Sequence, residues 1–274
     1  MKNHIALAIL LIIFSQSASA FKDEVLTVYS KTIDKDIPVT VVTPDSYDDL
    51  REFPVVYLLH GYSDNHRTWI DRTDVESLSD LYEMIIVLPD GGYDSWYFDS
   101  RIAKDYQYET FITQELVSYI DNNYKTIRDR KGRAITGQSM GGHGALHSAF
   151  RHTDIYGSAG SLSGGVDIRP FPESWNIAGR LGSYKDNMEL WSESTIINMT
   201  HLLKPGTLNI IIDCGTEDFF YEVNCNLHKK LMSEGLPHDF YVRPGGHNWE
   251  YWKQAIKYQI LFFNEFFGSN EKVG

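Results

Sequence analysis

Gly137-Gln138-Ser139-Met140-Gly141 decides the reading of this chain, because it has the form G-x-S-x-G and stands between two segments of opposite character. Ala134-Ile135-Thr136 before it reads as the end of a buried strand, and Met140 to Phe150 after it reads as a helix with a glycine-rich start. A serine on such a strand-to-helix turn is held in strained backbone at the top of a sheet, and the flanking glycines let neighbouring elements come close. That is a nucleophile elbow, and it makes Ser139 the candidate nucleophile.

Outward from the elbow, the rest of the chain falls into strand and helix units. Pro54 to His60, Met84 to Pro89, Gly132 to Gln138 and Leu208 to Cys214 are short, nearly continuous apolar runs, as expected of strands buried on both faces. Helical patterns lie between and after them: Thr110 to Tyr124, Cys225 to Gly235 and Trp249 to Phe267, the second and third separated by a strand at Asp239 to Arg243. Val25 to Ser30 and Ile37 to Thr43, split by Lys31 to Asp36, form a candidate hairpin. The expectation is one α/β domain over residues 21–274, with a mostly parallel central sheet, an N-terminal antiparallel hairpin and helices on both faces. Residues 166–206 break the rhythm, being rich in Pro, Asn, Ser and Trp. They are expected to form a lid or binding insert, with Trp175 and Trp191 as candidate substrate-facing aromatics.

Bulk properties narrow the partners. The 274 residues carry a net charge of -12, which argues against a nucleic-acid or anionic-membrane partner, since both reward basic surface. Residues 1–20 read as a signal peptide: a basic start at Lys2, an apolar run from Ile5 to Phe14, and Ala18-Ser19-Ala20 as the cleavage motif. Cleavage after Ala20 would deliver the chain to a periplasm or the medium with no membrane span, and the loss of Lys2 takes the charge to -13. Cys214 and Cys225 are open to two readings, a disulfide or two free thiols.

A serine hydroxyl needs a base to take its proton and an acid to hold that base in the right tautomer. On an elbow fold the chain order is Ser, acid, His. Of the seven histidines after Ser139, His247 alone lies in a loop just beyond the final strand, after Gly245-Gly246. The acid should leave the preceding strand, where Asp213, Glu217 and Asp218 are available; Asp218 is favoured and Glu217 is second. Met140 and Tyr62 are placed to supply the two oxyanion-binding amides, Tyr62 from the turn that ends Leu58-Leu59-His60-Gly61. His60 lies upstream of Ser139 and is expected to pack in that turn. His143 and His147 have the i, i+4 spacing of zinc ligands but lack the intervening acid of H-E-x-x-H, so neither a metal nor an organic cofactor is expected.

These segments together resemble the esterase D and carbohydrate esterase family 1 branch of the α/β-hydrolases. The resemblance spans about Val25 to Phe267 and rests on Tyr57-Leu58-Leu59-His60-Gly61, Leu88-Pro89-Asp90-Gly91, Ser95-Trp96-Tyr97, Gly137 to Gly142, Cys214-Gly215-Thr216-Glu217-Asp218 and Gly246 to Trp252. That branch includes feruloyl, acetyl-xylan and tributyrin-type esterases, S-formylglutathione hydrolases and mycolyltransferases. The resemblance implies an α/β-hydrolase fold, Asp218 as the triad acid, and Trp96 and Tyr97 in a loop bordering the cleft. Gln138 beside the nucleophile and Trp249 after the base complete the substrate-binding candidates. The expected substrate is an acyl ester, small or on a polysaccharide. Export favours feruloyl or acetyl esters of xylan over a cytosolic glutathione thioester. Two alternatives stand: an S-formylglutathione or general short-chain acyl hydrolase, and a carbohydrate-binding protein that keeps the fold without turnover.

Overall fold

The computed structural model describes residues 22–271, so the expected signal peptide and its cleavage position lie outside the described residues. One eight-stranded sheet organises the chain. Its strands are β1 Lys22–Ser30, β2 Lys35–Thr43, β3 Val55–Leu59, β4 Ile85–Pro89, β5 Arg133–Gly137, β6 Ser158–Leu162, β7 Asn209–Gly215 and β8 Asp239–Arg243. Their spatial order is β1-β2-β4-β3-β5-β6-β7-β8. The hairpin β1–β2 is antiparallel, β2 joins β4 antiparallel, and every later pairing is parallel.

Burial explains the composition of the centre. All five residues of each of β3, β4, β5 and β6 are buried, because helices cover both faces. Side chains alternate between two cores: Val55, Tyr57 and Leu59 face one with Ala145, Leu146 and Ala149 of the elbow helix, whereas Val56 and Leu58 face the other with Trp252, Ile256 and Ile260 of the C-terminal helix. The C-terminal helix runs Trp249–Glu271 and the elbow helix Met140–Arg151. The expected helix at 110–124 begins two residues earlier, at Tyr108, and its second turn, Phe111–Glu115, is a π-turn.

Three features depart from the sequence pattern. β6, Ser-Ala-Gly-Ser-Leu, is a strand that the pattern does not announce, and two short helices, Thr68–Arg72 and Val75–Tyr82, fill the crossover from β3 to β4. Residues 166–206 are the crossover from β6 to β7. They carry helices Ala178–Leu181 and Met188–Glu193 and bury Val166, Ile168, Ile177, Leu181 and Ile196 in the main core. Cys214 is buried, Cys225 is half-buried, and both are free thiols. Among the described residues no helix is long and apolar enough to cross a membrane.

Candidate active site

Backbone geometry at the end of β5 sets the site. Ser139 has φ 56° and ψ -117°, a conformation that costs a non-glycine residue about 1–3 kcal/mol. Two contacts maintain it: the Ser139 amide donates to Leu162 O of β6 (2.9 Å), and His143 N–H donates to Ser139 O (3.0 Å). The motif glycines are required by proximity. A Cβ on Gly137 would lie 2.5 Å from Leu59 O, and one on Gly141 would lie 2.5 Å from the same oxygen and 2.6 Å from His60 O.

The other two polar groups arrive on the loops after β7 and β8. His247 Nε2 lies 2.8 Å from Ser139 Oγ, and its Nδ1 lies 3.0 and 2.9 Å from the two carboxylate oxygens of Asp218. The Asp218 side chain is fully buried and also accepts from the Phe220 amide at 2.8 Å. The two loops are stitched together, because Thr216 N–H donates to Arg243 O and Glu217 N–H to Gly245 O, each at 2.9 Å. Glu217, the second choice for the acid, is exposed, with no side-chain contact to His247. Asp213 stays in β7, bonded to Arg243 and to the Tyr251 hydroxyl. Burial is the main force raising its pKa.

The turn after β3 faces Ser139. Among the described residues the amides of Tyr62 and Met140 donate to no protein acceptor, and Met140 opens the elbow helix, where free N–H groups carry partial positive charge. His60 supports this turn from beneath: the Gly91 amide donates to its Nε2 (2.7 Å), so its Nδ1–H donates to Gly61 O (2.8 Å). Burial lowers its pKa, and the ring serves as a neutral brace.

A cavity of about 290 Å³ opens at Ser139, lined also by Tyr62, Asp64, Gln138, Trp175, Phe219, His247, Trp249 and Trp252. Of the substrate-binding candidates, Gln138, Trp175 and Trp249 line this cavity. Trp175 stacks on Phe219 (5.4 Å between centroids, 20°), Phe219 lies over His247 (4.1 Å), and Trp252 meets His247 edge-on (4.8 Å). Trp249 is wedged between Trp69 and Trp252. A larger cavity, about 420 Å³ around Glu109 and His147, contains neither Ser139 nor His247.

Three aromatic expectations need correction, since Trp96, Tyr97 and Trp191 are buried and do not line the cavity. Trp96 donates Nε1–H to the Trp175 carbonyl (3.1 Å) and so holds the cavity wall from behind. Tyr97 is bonded to His60 O (3.0 Å) and fills the space left by Gly91 and Gly144. Trp191 packs on Tyr184 and donates to Gly182 O (2.9 Å). Sequence reasoning misses Asp64, Phe219 and Trp252 as lining residues. Phe219 directly follows the acid and Trp252 lies one helical turn from Trp249, and both positions are available as signals.

The pair His143 and His147 stacks at 5.7 Å inside the main core, with His143 Nε2 bonded to Ser194 O (2.9 Å). Burial pushes their pKa values down to about 3 and about 4. Among the described residues no group of three or more His, Cys, Asp or Glu is arranged to hold a metal.

A nucleophile, a base, an acid and two free amides in this arrangement can carry out acyl transfer. The family model described as a putative esterase matches residues 30–263. An acetyl esterase of Caldicellulosiruptor saccharolyticus is 26% identical over 249 residues, covering 83% of this chain and 92% of that protein. The structure of a ferulic acid esterase superposes with a TM-score of 0.77 at 30% identity, over 90% of this chain and 99% of that one. A substrate-bound fluorophosphonate-binding serine hydrolase of Staphylococcus aureus gives a TM-score of 0.78 at 25% identity, over 89% and 98%. With the family model spanning every strand from β2 to β8, the chain belongs to the esterase family of carboxylic-ester hydrolases.

Proposed function

We propose that this protein is an exported serine esterase that removes feruloyl or acetyl groups from plant polysaccharide side chains through an acyl-enzyme on Ser139. The observation that carries the chemistry is the continuous relay from Ser139 Oγ through the His247 ring to Asp218, with donor–acceptor distances of 2.8 to 3.0 Å. Ser139 Oγ attacks the ester carbonyl while His247 Nε2 takes its proton. Asp218 accepts the Nδ1–H and stabilises the imidazolium that forms. The tetrahedral oxyanion lies within reach of the Tyr62 and Met140 amides. His247 then gives its proton to the leaving alcohol, and a water activated by the same ring hydrolyses the acyl-enzyme.

The choice of substrate has separate support. Trp175, Phe219, Trp249 and Trp252 offer flat apolar faces around the nucleophile, suited to an aromatic acyl group or a sugar ring. Relatives named ferulic acid esterase and acetyl esterase point the same way, and residues 1–20 read as an export signal. A second reading, hydrolysis of S-formylglutathione, is favoured by an Arabidopsis thaliana relative of that name, 23% identical over 70% of this chain.

The test compares kcat/KM for methyl ferulate, acetylated xylan, tributyrin and S-formylglutathione, with Ser139→Ala as the reference for p-nitrophenyl acetate. Feruloyl or acetyl-xylan esters are expected to lead, and Ser139→Ala to fall to background. A thioester ahead by a wide margin would overturn the polysaccharide reading, and unchanged turnover in Ser139→Ala would overturn the mechanism. Secreted protein whose N-terminal residue is Phe21 is the expected result for export; retention of residues 1–20 would contradict it.

A further inference from the structure

One carboxyl group in the cavity is not used by any step of acyl transfer. Asp64 lies three residues beyond Gly61, on the loop that carries the Tyr62 amide, and lines the same space as Ser139 and His247. Its Oδ2 accepts from Gln138 Nε2 at 2.8 Å. Gln138 is fully buried and packed against Gly61, where a Cβ would come within 2.9 Å of that same nitrogen. Asp64 is therefore fixed relative to the nucleophile by the residue that immediately precedes it.

Little around Asp64 neutralises it. A hydrogen bond from the Gly61 amide draws its pKa down, followed by Arg72, at the end of the helix Thr68–Arg72 and the one cation among the described residues that does so through charge, and by the bond from Gln138. His66, on the same loop, bonds to Thr40 Oγ1 (2.8 Å) and burial lowers its pKa. His247 faces it across the cavity, and the remaining large side chains of the lining are aromatic. Burial outweighs these partners and raises Asp64 to about 6. A carboxylate set in an aromatic wall repels a second anion and accepts a hydrogen bond from a hydroxyl.

We infer that Asp64 is the charge filter of this site: it accepts a hydrogen bond from a hydroxyl of a neutral alcohol or saccharide, and it discriminates against esters that bring an anion into the cavity. This rests on the esterase reading and deepens it. Neutral sugar esters pass the filter, whereas a glutathione thioester, which carries free carboxylates, is disfavoured. Asp64 is a specificity-determining residue and takes no part in bond making.

The experiment measures kcat/KM for p-nitrophenyl acetate, which is neutral, and for 4-acetoxybenzenesulfonate, whose sulfonate stays ionised from pH 5 to pH 8. Their ratio at each pH cancels every pH effect that the two esters share. In the wild type the preference for the neutral ester is expected to rise about tenfold between pH 5 and pH 8, the effect of one charge at about 10 Å in an effective dielectric of about 20, with the rise setting in near pH 6 as Asp64 ionises. Added salt should shrink that rise. In Asp64→Asn the ratio should stay at the low-pH value throughout. A wild-type ratio that is flat across this range, or an Asp64→Asn ratio that keeps the wild-type pH dependence, overturns the inference. The wild-type arm needs no variant to fold. Hydrolysis of both esters with a flat ratio defeats the charge filter alone, and hydrolysis of neither defeats the esterase reading as well.

Discussion

Replacing Asp218 by asparagine keeps the side chain's volume and removes the negative charge that faces His247. The consequence follows from the hydrogen bonds. The buried side-chain carbonyl of the new amide would accept from the Phe220 N–H, as Asp218 Oδ1 does now at 2.8 Å, which turns the new NH₂ towards Nδ1. A donor there forces the ring proton onto Nε2, so His247 would donate to Ser139 Oγ where it now must accept. The imidazolium formed during attack would also lose its counter-charge, which at a charge separation of about 4 Å and an effective dielectric of about 20 is worth about 4 kcal/mol, or about 10³-fold. With the wrong tautomer added, kcat should fall by about 10³ to 10⁴, while KM stays within about threefold because Asp218 touches no substrate group. Stopped-flow hydrolysis of p-nitrophenyl acetate at pH 8 measures both constants, and thermal unfolding checks that the variant is folded. Glu217→Gln is the control: its side chain is exposed, and less than about twofold is expected. A loss below tenfold in Asp218→Asn, or a comparable loss in Glu217→Gln, would refute the assignment.

Ser139→Gly should abolish turnover yet stabilise the protein by roughly 1–2 kcal/mol, because glycine adopts φ 56° without strain. Calorimetry should show Tm raised by about 2–4 °C per kcal/mol, and an unchanged or lower Tm would mean the elbow stores no strain. Stability should fall in mild acid. Burial holds His143 and His147 neutral, with folded pKa values of about 3 and 4 against about 6.5 unfolded, so the unfolded state binds protons first as pH drops. Their stabilisation is complete above pH 6.5 and is lost progressively as pH falls towards 4. Urea midpoints should decline across that window by an amount on the order of several kcal/mol in stability. His147→Gln should flatten the slope, and a constant midpoint from pH 7 to 4.5 would contradict it.

The elements legible in the sequence are those whose local pattern and tertiary role agree. β3, β4, β5 and β7 are apolar runs because both their faces are covered, and the strand expected at Asp239 to Arg243 matches β8 to the residue. β6 escapes because its bulk is supplied by others. Gly160 faces the Gln259 amide and Thr136 Oγ1, and Gly142 of the elbow helix approaches Ser161 Oγ, so small side chains that weaken any strand pattern are what the packing requires. That Ser139, Asp218 and His247 come together is legible from chain order, since each candidate leaves a recognisable strand at its C-terminal end. The cavity walls are not. Trp96 and Trp175 look alike in sequence, yet Trp96 is buried behind the wall and Trp175 forms it, the two being joined by the bond from Trp96 Nε1 to Trp175 O. Asp64 is hidden because a carboxylate in a polar loop reads as solvated; the bond that ties it to the site comes from Gln138, which is 74 residues away.

That the hydrogen bond between Ser139 and His247 spans 108 residues has a meaning for biosynthesis. A ribosome adding about 5–20 residues per second needs roughly 5–20 s to pass from the nucleophile to the base. During that interval the elbow can form with β3 and β5, but the proposed base, His247, has not yet been made. On the proposed mechanism, reactivity awaits the pairing of β8 with β7 and the docking of the terminal helix, whose Trp252 lies against the imidazole, in the second core. Fragments that stall or are clipped before this last unit would, on the proposed mechanism, have a nucleophile without a base, so activity would itself report that the last unit has been made and folded.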